Sequence, residues 1–78
     1  MLLRETFATN LRRARQEAGF SQEELAGLAG IDRTYVSALE RSVYSASLDM
    51  VERLAAVLCV EPAELLAKPS RGTLRKSR

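Results

Sequence analysis

Histidine and tryptophan are absent from the 78 residues, and cysteine occurs once, at position 59. Without histidine the chain lacks the commonest general base of enzymes and a common metal ligand, and one cysteine cannot form a disulfide within the chain. Paired carboxylates on an inner face and a phosphate-binding loop are also missing. These absences argue against an enzyme, a metal site or a cofactor. Aromatic residues make up only 5%, so we expect a core of Leu, Val, Ile and Ala.

Long apolar runs are also missing. No stretch approaches the roughly 20 apolar residues needed to span a membrane. The first five residues lack the apolar segment of a signal peptide. We therefore expect a cytoplasmic protein without a membrane partner, and we expect no small-molecule ligand.

The small positive charge of the chain conceals an uneven distribution. The formal charge is +2, but residues 67–78 contain five basic residues and no acidic one. Residues 1–66 then hold seven basic and ten acidic residues, a net charge of −3. We expect residues 1–67 to fold as one domain and residues 68–78 to form a basic disordered tail.

Hydropathy and capping signals predict an all-α fold of five short helices. Apolar residues recur at spacings of three and four over residues 3–18, which is typical of an amphipathic helix. Ser21 and Glu24 form a capping box before the second helix. Asp32 and Ser47 are suitable N-caps for the third and fourth helices, and Pro62 suits the first position of a fifth. The predicted ranges are 3–18, 22–29, 33–41, 48–58 and 62–67.

The second and third helices are separated only by Gly30, Ile31 and Asp32. A short turn containing glycine is typical of a helix-turn-helix, in which the second helix of the pair enters the DNA major groove. Arg33 and Thr34 open that helix, and both residue types can contact base edges. The alternative is that these two residues form an ordinary solvated surface, and the cap and turn favour DNA reading.

The motifs from Ser21 to Arg41, together with Ser47–Asp49 and Val60–Leu66, resemble the lambda-repressor-like (XRE/Cro-C1) helix-turn-helix family. The run Asp-Arg-Thr-Tyr-Val-Ser is similar to the controller proteins of restriction–modification systems. The resemblance implies a five-helix DNA-binding domain that acts on palindromic operators as a homodimer. It also implies a bacterial or phage-encoded protein associated with the nucleoid. A phage-type repressor, an antitoxin-like regulator and a protein-interaction module on the same scaffold remain alternatives.

The resemblance also implies roles for individual positions. Gln22 matches a residue that contacts phosphate and braces the recognition helix, and Arg15 matches a partner of Glu40 in a buried structural pair. Tyr44 can donate its hydroxyl to a phosphate, while Tyr35 has packing as an equal alternative. The expected DNA-binding residues are Gln22, Arg33, Thr34, Tyr35, Ser37, Arg41 and Tyr44.

Three positions depart from the family pattern, since Ser42 and Cys59 replace common glycines and Ala46 a common proline. A left-handed serine costs about 1–2 kcal/mol, so we expect a differently shaped loop after the third helix. Apolar neighbours predict an inert, buried Cys59 thiol, and the apolar period places Leu48 on the inner face of the fourth helix. The predicted dimer interface comprises Met50, Leu54, Val60, Leu65 and Leu66, although some of these face the monomer core.

Overall fold

A computed structural model describes residues 2–68, which form helices joined by short connections and no strand. The all-α prediction is therefore confirmed for this part of the chain. The third and fifth helices each end one residue earlier than expected. The helices are α1 (Leu3–Ala18), α2 (Gln22–Ala29), α3 (Arg33–Glu40), α4 (Leu48–Leu58) and α5 (Pro62–Leu66).

The core takes at least one fully buried aliphatic side chain from every helix. These side chains converge in one cluster that α1, α2, α3, α4 and α5 share. Burial of each leucine contributes about 1.5–3 kcal/mol, so the helices are held by packing rather than by their own short lengths. The largest fully buried side chains are Leu11, Leu25, Val36, Leu39, Leu54 and Leu65.

The predicted capping signals operate at the helix starts. Ser21 Oγ accepts the Glu24 N–H at 3.0 Å, and the Glu24 carboxylate accepts the Ser21 N–H at 2.8 Å. Ser47 Oγ accepts the Met50 N–H at 3.0 Å. Gly30 ends α2 in the left-handed region with φ of 72°, where glycine avoids the clash of a Cβ.

Two expectations about single side chains are wrong. Leu48 is 79% exposed, because it is the first residue of α4 and the core packs against the later turns of that helix, from Val51 to Leu58. Cys59 is exposed rather than buried. It follows α4 with φ of 59°, and this left-handed turn carries its side chain away from the apolar face to which Leu58 belongs.

The loop after α3 also differs from expectation, because Ser42 accepts the left-handed conformation with φ of 62°. The Ser42 N–H donates to the Leu39 carbonyl at 3.2 Å, and the Val43 N–H donates to the Ala38 carbonyl at 2.9 Å. These bonds satisfy carbonyls at the helix end. The loop thus keeps the turn that glycine would make, at a conformational cost of about 1–2 kcal/mol.

The predicted basic tail lies almost wholly outside the described residues. Lys68 is the last described residue and is exposed. Residues 69–78, which contain Arg71, Arg75, Lys76 and Arg78, are not described. Within residues 2–68, no helix has the length and apolar character to cross a membrane.

Candidate nucleic-acid interface

The first turn of α3 projects away from the core. Arg33 and Thr34 are exposed, whereas Val36 and Leu39 are fully buried in the core. The Asp32 carboxylate caps the helix start, with Oδ1 3.5 Å from the Thr34 N atom. Val36 and Leu39 are three residues apart and therefore share the buried face of α3, which places Thr34 on the opposite face and Arg33 at the exposed flank of the helix.

The turn before α3 is anchored to the core, which sets the angle between α2 and α3. The Ile31 N–H donates to the Ala26 carbonyl at 2.9 Å, and the Gly30 N–H donates to the Gly27 carbonyl at 3.3 Å. The Ile31 side chain packs against the buried cluster. Two helices joined by such a short turn form the unit that places its second helix in a major groove.

A depression of about 360 Å³ lies beside α3 and the loop that follows it. Tyr35 and Tyr44 contribute rings whose centroids are 6.2 Å apart with a 47° angle between their planes. Tyr35 is half-buried and packs against the core, whereas Tyr44 is exposed. The depression is lined by Asp32, Thr34, Tyr35, Ala38, Arg41, Val43 and Tyr44.

Arg41 stands at the end of α3 as its exposed C-cap residue. Its Nε donates to Ser37 Oγ at 3.3 Å. Within the described part of the chain, this is the one side-chain hydrogen bond that Arg41 makes, so its two Nη groups remain available to a phosphate. Ser37 is half-buried and thus serves first to hold Arg41 in place.

Arg15 and Glu40 form the predicted structural pair between α1 and α3. Arg15 Nε lies 2.6 Å from Glu40 Oε2, and Nη2 lies 3.0 Å from Oε1. The two side chains are only 12% and 4% exposed. Arg15 Nη1 also donates to the Phe20 carbonyl at 2.9 Å. Hydrogen bonding to Glu40 raises the pKa of Arg15 above its usual value, against an opposing effect of burial.

Gln22 joins the same network from the first residue of α2. Its Nε2 donates to Glu40 Oε1 at 3.0 Å. One carboxylate thereby links α1, α2 and the last residue of α3. This contact matches the bracing role expected for Gln22, and a contact between Gln22 and phosphate stays a prediction.

The predicted dimer residues do not share one surface. Leu54 and Leu65 are 0% and 1% exposed in the chain's own core, which leaves them no surface to offer a partner. Neither leucine is therefore part of the interface proposed below. Met50, Val60 and Leu66 are half-buried at the edge of the core.

An apolar groove of about 170 Å³ adjoins Leu66. Leu3 and Leu48 line it and are 60% and 79% exposed. Neither belongs to the dimer interface predicted from the sequence. Exposed apolar side chains grouped around one groove make this surface a candidate for contact with a partner. The groove is lined by Leu3, Arg4, Phe7, Ser45, Ala46, Leu48, Val51 and Leu66.

Two polar residues to which the sequence assigned no role donate hydrogen bonds to helix ends. Arg53 Nη1 lies 3.4 Å from the Ala29 carbonyl at the end of α2. Asn10 is buried and donates to two carbonyls at the end of α5. Its spacing from Phe7 and Ala14 already places a polar group on the apolar face of α1, which is the signal that could have revealed it.

This part of the chain resembles known proteins in both sequence and structure. The family HTH_3, described as helix-turn-helix, matches residues 11–65. A hypothetical transcription factor from Neisseria meningitidis is 48% identical over 67 residues, covering 86% of this chain but only 63% of that protein. The chain thus spans less than two thirds of that relative's length. A crystal structure of a Neisseria factor of the same description superimposes with a TM-score of 0.84 at 47% identity, covering 87% of this chain and 78% of the other.

Restriction–modification proteins and a DNA complex are also among the similar proteins. Control protein C.BamHI from Bacillus amyloliquefaciens is 37% identical, covering 82% of this chain and 80% of that protein. The controller protein C.AhdI from Aeromonas hydrophila superimposes with a TM-score of 0.76 at 44% identity, covering 80% of this chain and 94% of that chain. The biofilm regulator SinR, in complex with DNA, gives a TM-score of 0.75 at 34% identity, covering 78% of this chain and 98% of that chain.

Proposed function

This chain belongs to the helix-turn-helix family HTH_3, and from that premise we propose that it regulates transcription by reading a palindromic DNA operator as a homodimer. We further propose that it is a controller protein of a restriction–modification system, as C.AhdI is described to be. The observation that carries the proposal is the exposed first turn of α3, held at a set angle by the buried Glu40 network.

The proposed division of labour follows from exposure and bonding. Arg33 and Thr34 are free at the start of α3 and read base edges, the arginine preferring guanine. Arg41 and the Tyr44 hydroxyl contact phosphates beside the major groove of the DNA. Such contacts position a protein on the duplex without specifying its base sequence. Ser37 and Gln22 support this surface, Ser37 from within α3 and Gln22 through Glu40.

DNA binding by this face is testable with one pair of arginine variants. Selection from genomic fragments at two salt concentrations would first yield a preferred site. Arg33→Ala should then weaken binding to that site about 5- to 150-fold, because a bidentate arginine–guanine contact supplies about 1–3 kcal/mol of discrimination. Arg13→Ala, which removes the same charge from the exposed surface of α1, serves as the control.

Fluorescence anisotropy against the selected site and a scrambled duplex measures both affinity and preference. Equal affinity and equal preference for wild type and Arg33→Ala would refute the reading role. Absence of binding to any fragment at low salt would favour the protein-interaction alternative, which the net charge of −3 over residues 1–66 supports.

Dimerisation is proposed on geometric grounds. Two half-sites of a palindrome lie about 34 Å apart when one helical turn separates them. The described residues occupy 35 × 25 × 19 Å, so the centres of two copies in contact lie about 19–35 Å apart according to the faces that meet, a range that includes this spacing. We place the interface on the groove that contains Leu3, Leu48 and Leu66, with Met50 and Val60 near its margins.

The interface is tested by substituting two exposed leucines, one in the groove and one outside it. Leu48→Asp should convert the dimer to a monomer in sedimentation equilibrium, because it introduces a charge into the apolar groove. Since Leu48 is exposed in the monomer, folding should be unaffected. Leu28→Asp, at a 59% exposed position on α2, should stay dimeric. A dimeric Leu48→Asp protein would rule out this surface.

A further inference from the structure

Asn10 is a buried polar side chain within an otherwise apolar face of α1. It is 5% exposed. Its Nδ2 group donates to the Leu65 carbonyl at 3.0 Å and to the Ala67 carbonyl at 2.7 Å. Both amide hydrogens are therefore used on the end of α5, more than fifty residues away in the sequence.

The end of α5 has special need of such a partner. The helix is five residues long, which is too short to be stable without tertiary contacts. Its last carbonyls receive no hydrogen bond from an N–H group of the same helix. The following residue, Ala67, is extended with φ of −79° and ψ of 142°, so no left-handed turn closes the helix end. The Asn10 amide supplies the donors that a local cap would otherwise provide.

Leu66 lies between the two carbonyls that Asn10 holds. Because the backbone is bonded on both sides of it, the direction of the Leu66 side chain is set from α1. Leu66 is half-buried and lines the apolar groove that we assign to the dimer. The capture of α5 by Asn10 therefore controls the shape of that groove.

We propose that Asn10 is a positioning residue for subunit association: its two hydrogen bonds orient the end of α5, and with it Leu66, for contact with a second copy of the chain. The inference rests on the homodimer of the proposed function. It assigns to α1 a part in association that is independent of DNA reading by α3.

Asn10→Asp tests this with almost no change of shape. The aspartate carboxylate cannot donate to the two carbonyls and instead faces their oxygens, which raises its pKa. At about pH 8 the dimer dissociation constant should rise about 10- to 100-fold, as expected when buried acceptors lose their donor. At about pH 5 protonation restores one donor, so the dimer should recover in part.

Controls separate association from general stability. The charged groups that line the depression next to Asn10 are Arg13, Glu17 and Glu64, so wild type is measured in the same buffers as the reference at each pH. Thr9→Ala alters the exposed neighbouring position on α1. All proteins are compared by sedimentation equilibrium at a temperature where circular dichroism shows them folded. Binding to a single operator half-site should stay within about twofold of wild type, because the bonds between α2 and α3 are untouched.

Each outcome decides one question. A monomeric wild type overturns the homodimer and this inference with it. A dimeric wild type with an unchanged dissociation constant in Asn10→Asp overturns only the role of Asn10. Equal losses at half-site and full site would show that Asn10 supports the whole fold, which also contradicts the inference. If Asn10→Asp does not fold, Asn10→Ser keeps one shorter donor and is judged by the same measurements.

Discussion

Glu40 is the carboxylate on which both Arg15 and Gln22 depend, so Glu40→Gln is the sharpest test of how the recognition helix is held. Glutamine keeps the size of the side chain but removes its charge and one of its acceptor oxygens. The amide that replaces this oxygen would face an N–H group of Arg15 or Gln22. The change therefore leaves a largely buried guanidinium without a counter-charge.

The size of the effect follows from burial. Removing one partner of a buried ion pair costs about 3–5 kcal/mol. Arg15 retains 12% exposure and so keeps some contact with water, which places the expected loss near the lower limit, about 3 kcal/mol. In a domain of this size each 1 kcal/mol lowers Tm by about 4–8 °C. We therefore expect Tm to fall by about 12–24 °C.

Thermal unfolding followed by circular dichroism at one protein concentration measures this loss. Glu17→Gln, on the exposed surface of α1, removes the same charge and should leave Tm within about 2 °C. The Arg15 charge persists across the usable pH range with or without Glu40, because a guanidinium does not lose its proton in proteins. High salt should change the loss little, since buried pairs are weakly screened.

A double-mutant cycle isolates the pair. In an Arg15→Leu background, Glu40→Gln should cost much less than in wild type, because the unpaired guanidinium is gone. A Tm for Glu40→Gln equal to that of wild type would refute the reasoning. An equal loss in both backgrounds would show that the cost arises elsewhere in the network.

Three further predictions concern the loop, the tyrosine pair and the tail. Ser42→Gly should stabilise the domain by about 0.5–1 kcal/mol in urea unfolding by relieving the left-handed serine; Ser45→Gly, where φ is not positive, should not, and equal gains would contradict the account. Tyr44→Phe keeps the ring beside Tyr35, so the stability of the fold should not change. DNA binding should weaken about tenfold, because the phosphate loses the hydrogen bond from the hydroxyl. Unchanged affinity would exclude that contact. Removal of residues 69–78 should reduce the salt dependence of binding by about 0.9 in slope for each basic residue that contacts a phosphate, whereas an unchanged slope would show that the tail is idle.

The sequence was most informative where structure depends on neighbouring residues. The capping box of Ser21 and Glu24 and the N-caps at Asp32 and Ser47 were legible because a cap involves residues at most three positions apart. The helix-turn-helix was legible for the same reason, since Gly30, Ile31 and Asp32 join two patterned segments. The pair of Arg15 and Glu40, on two different helices, came from the family resemblance rather than from local spacing.

Side-chain exposure at the ends of helices was much less predictable. Leu48 follows the apolar period of α4 and yet is solvent-exposed, whereas Leu54 and Leu65 are too deeply buried to form the interface that their type indicated. Periodicity assigns a residue to a face, but it does not say where along the helix the neighbouring elements stop. Cys59 was misplaced because its left-handed backbone redirects the side chain, and neighbouring residue types do not reveal this.

The sequence by itself determined the five helices, their starts and the outward face of α3, because these depend on spacing and capping within a few residues. Only the tertiary structure decided that Glu40 serves Arg15 and Gln22 together, that Asn10 holds the end of α5, and that Leu3, Leu48 and Leu66 border one groove. Such contacts join residues far apart in the chain. They exist only after the shared core has fixed the distances and angles between helices.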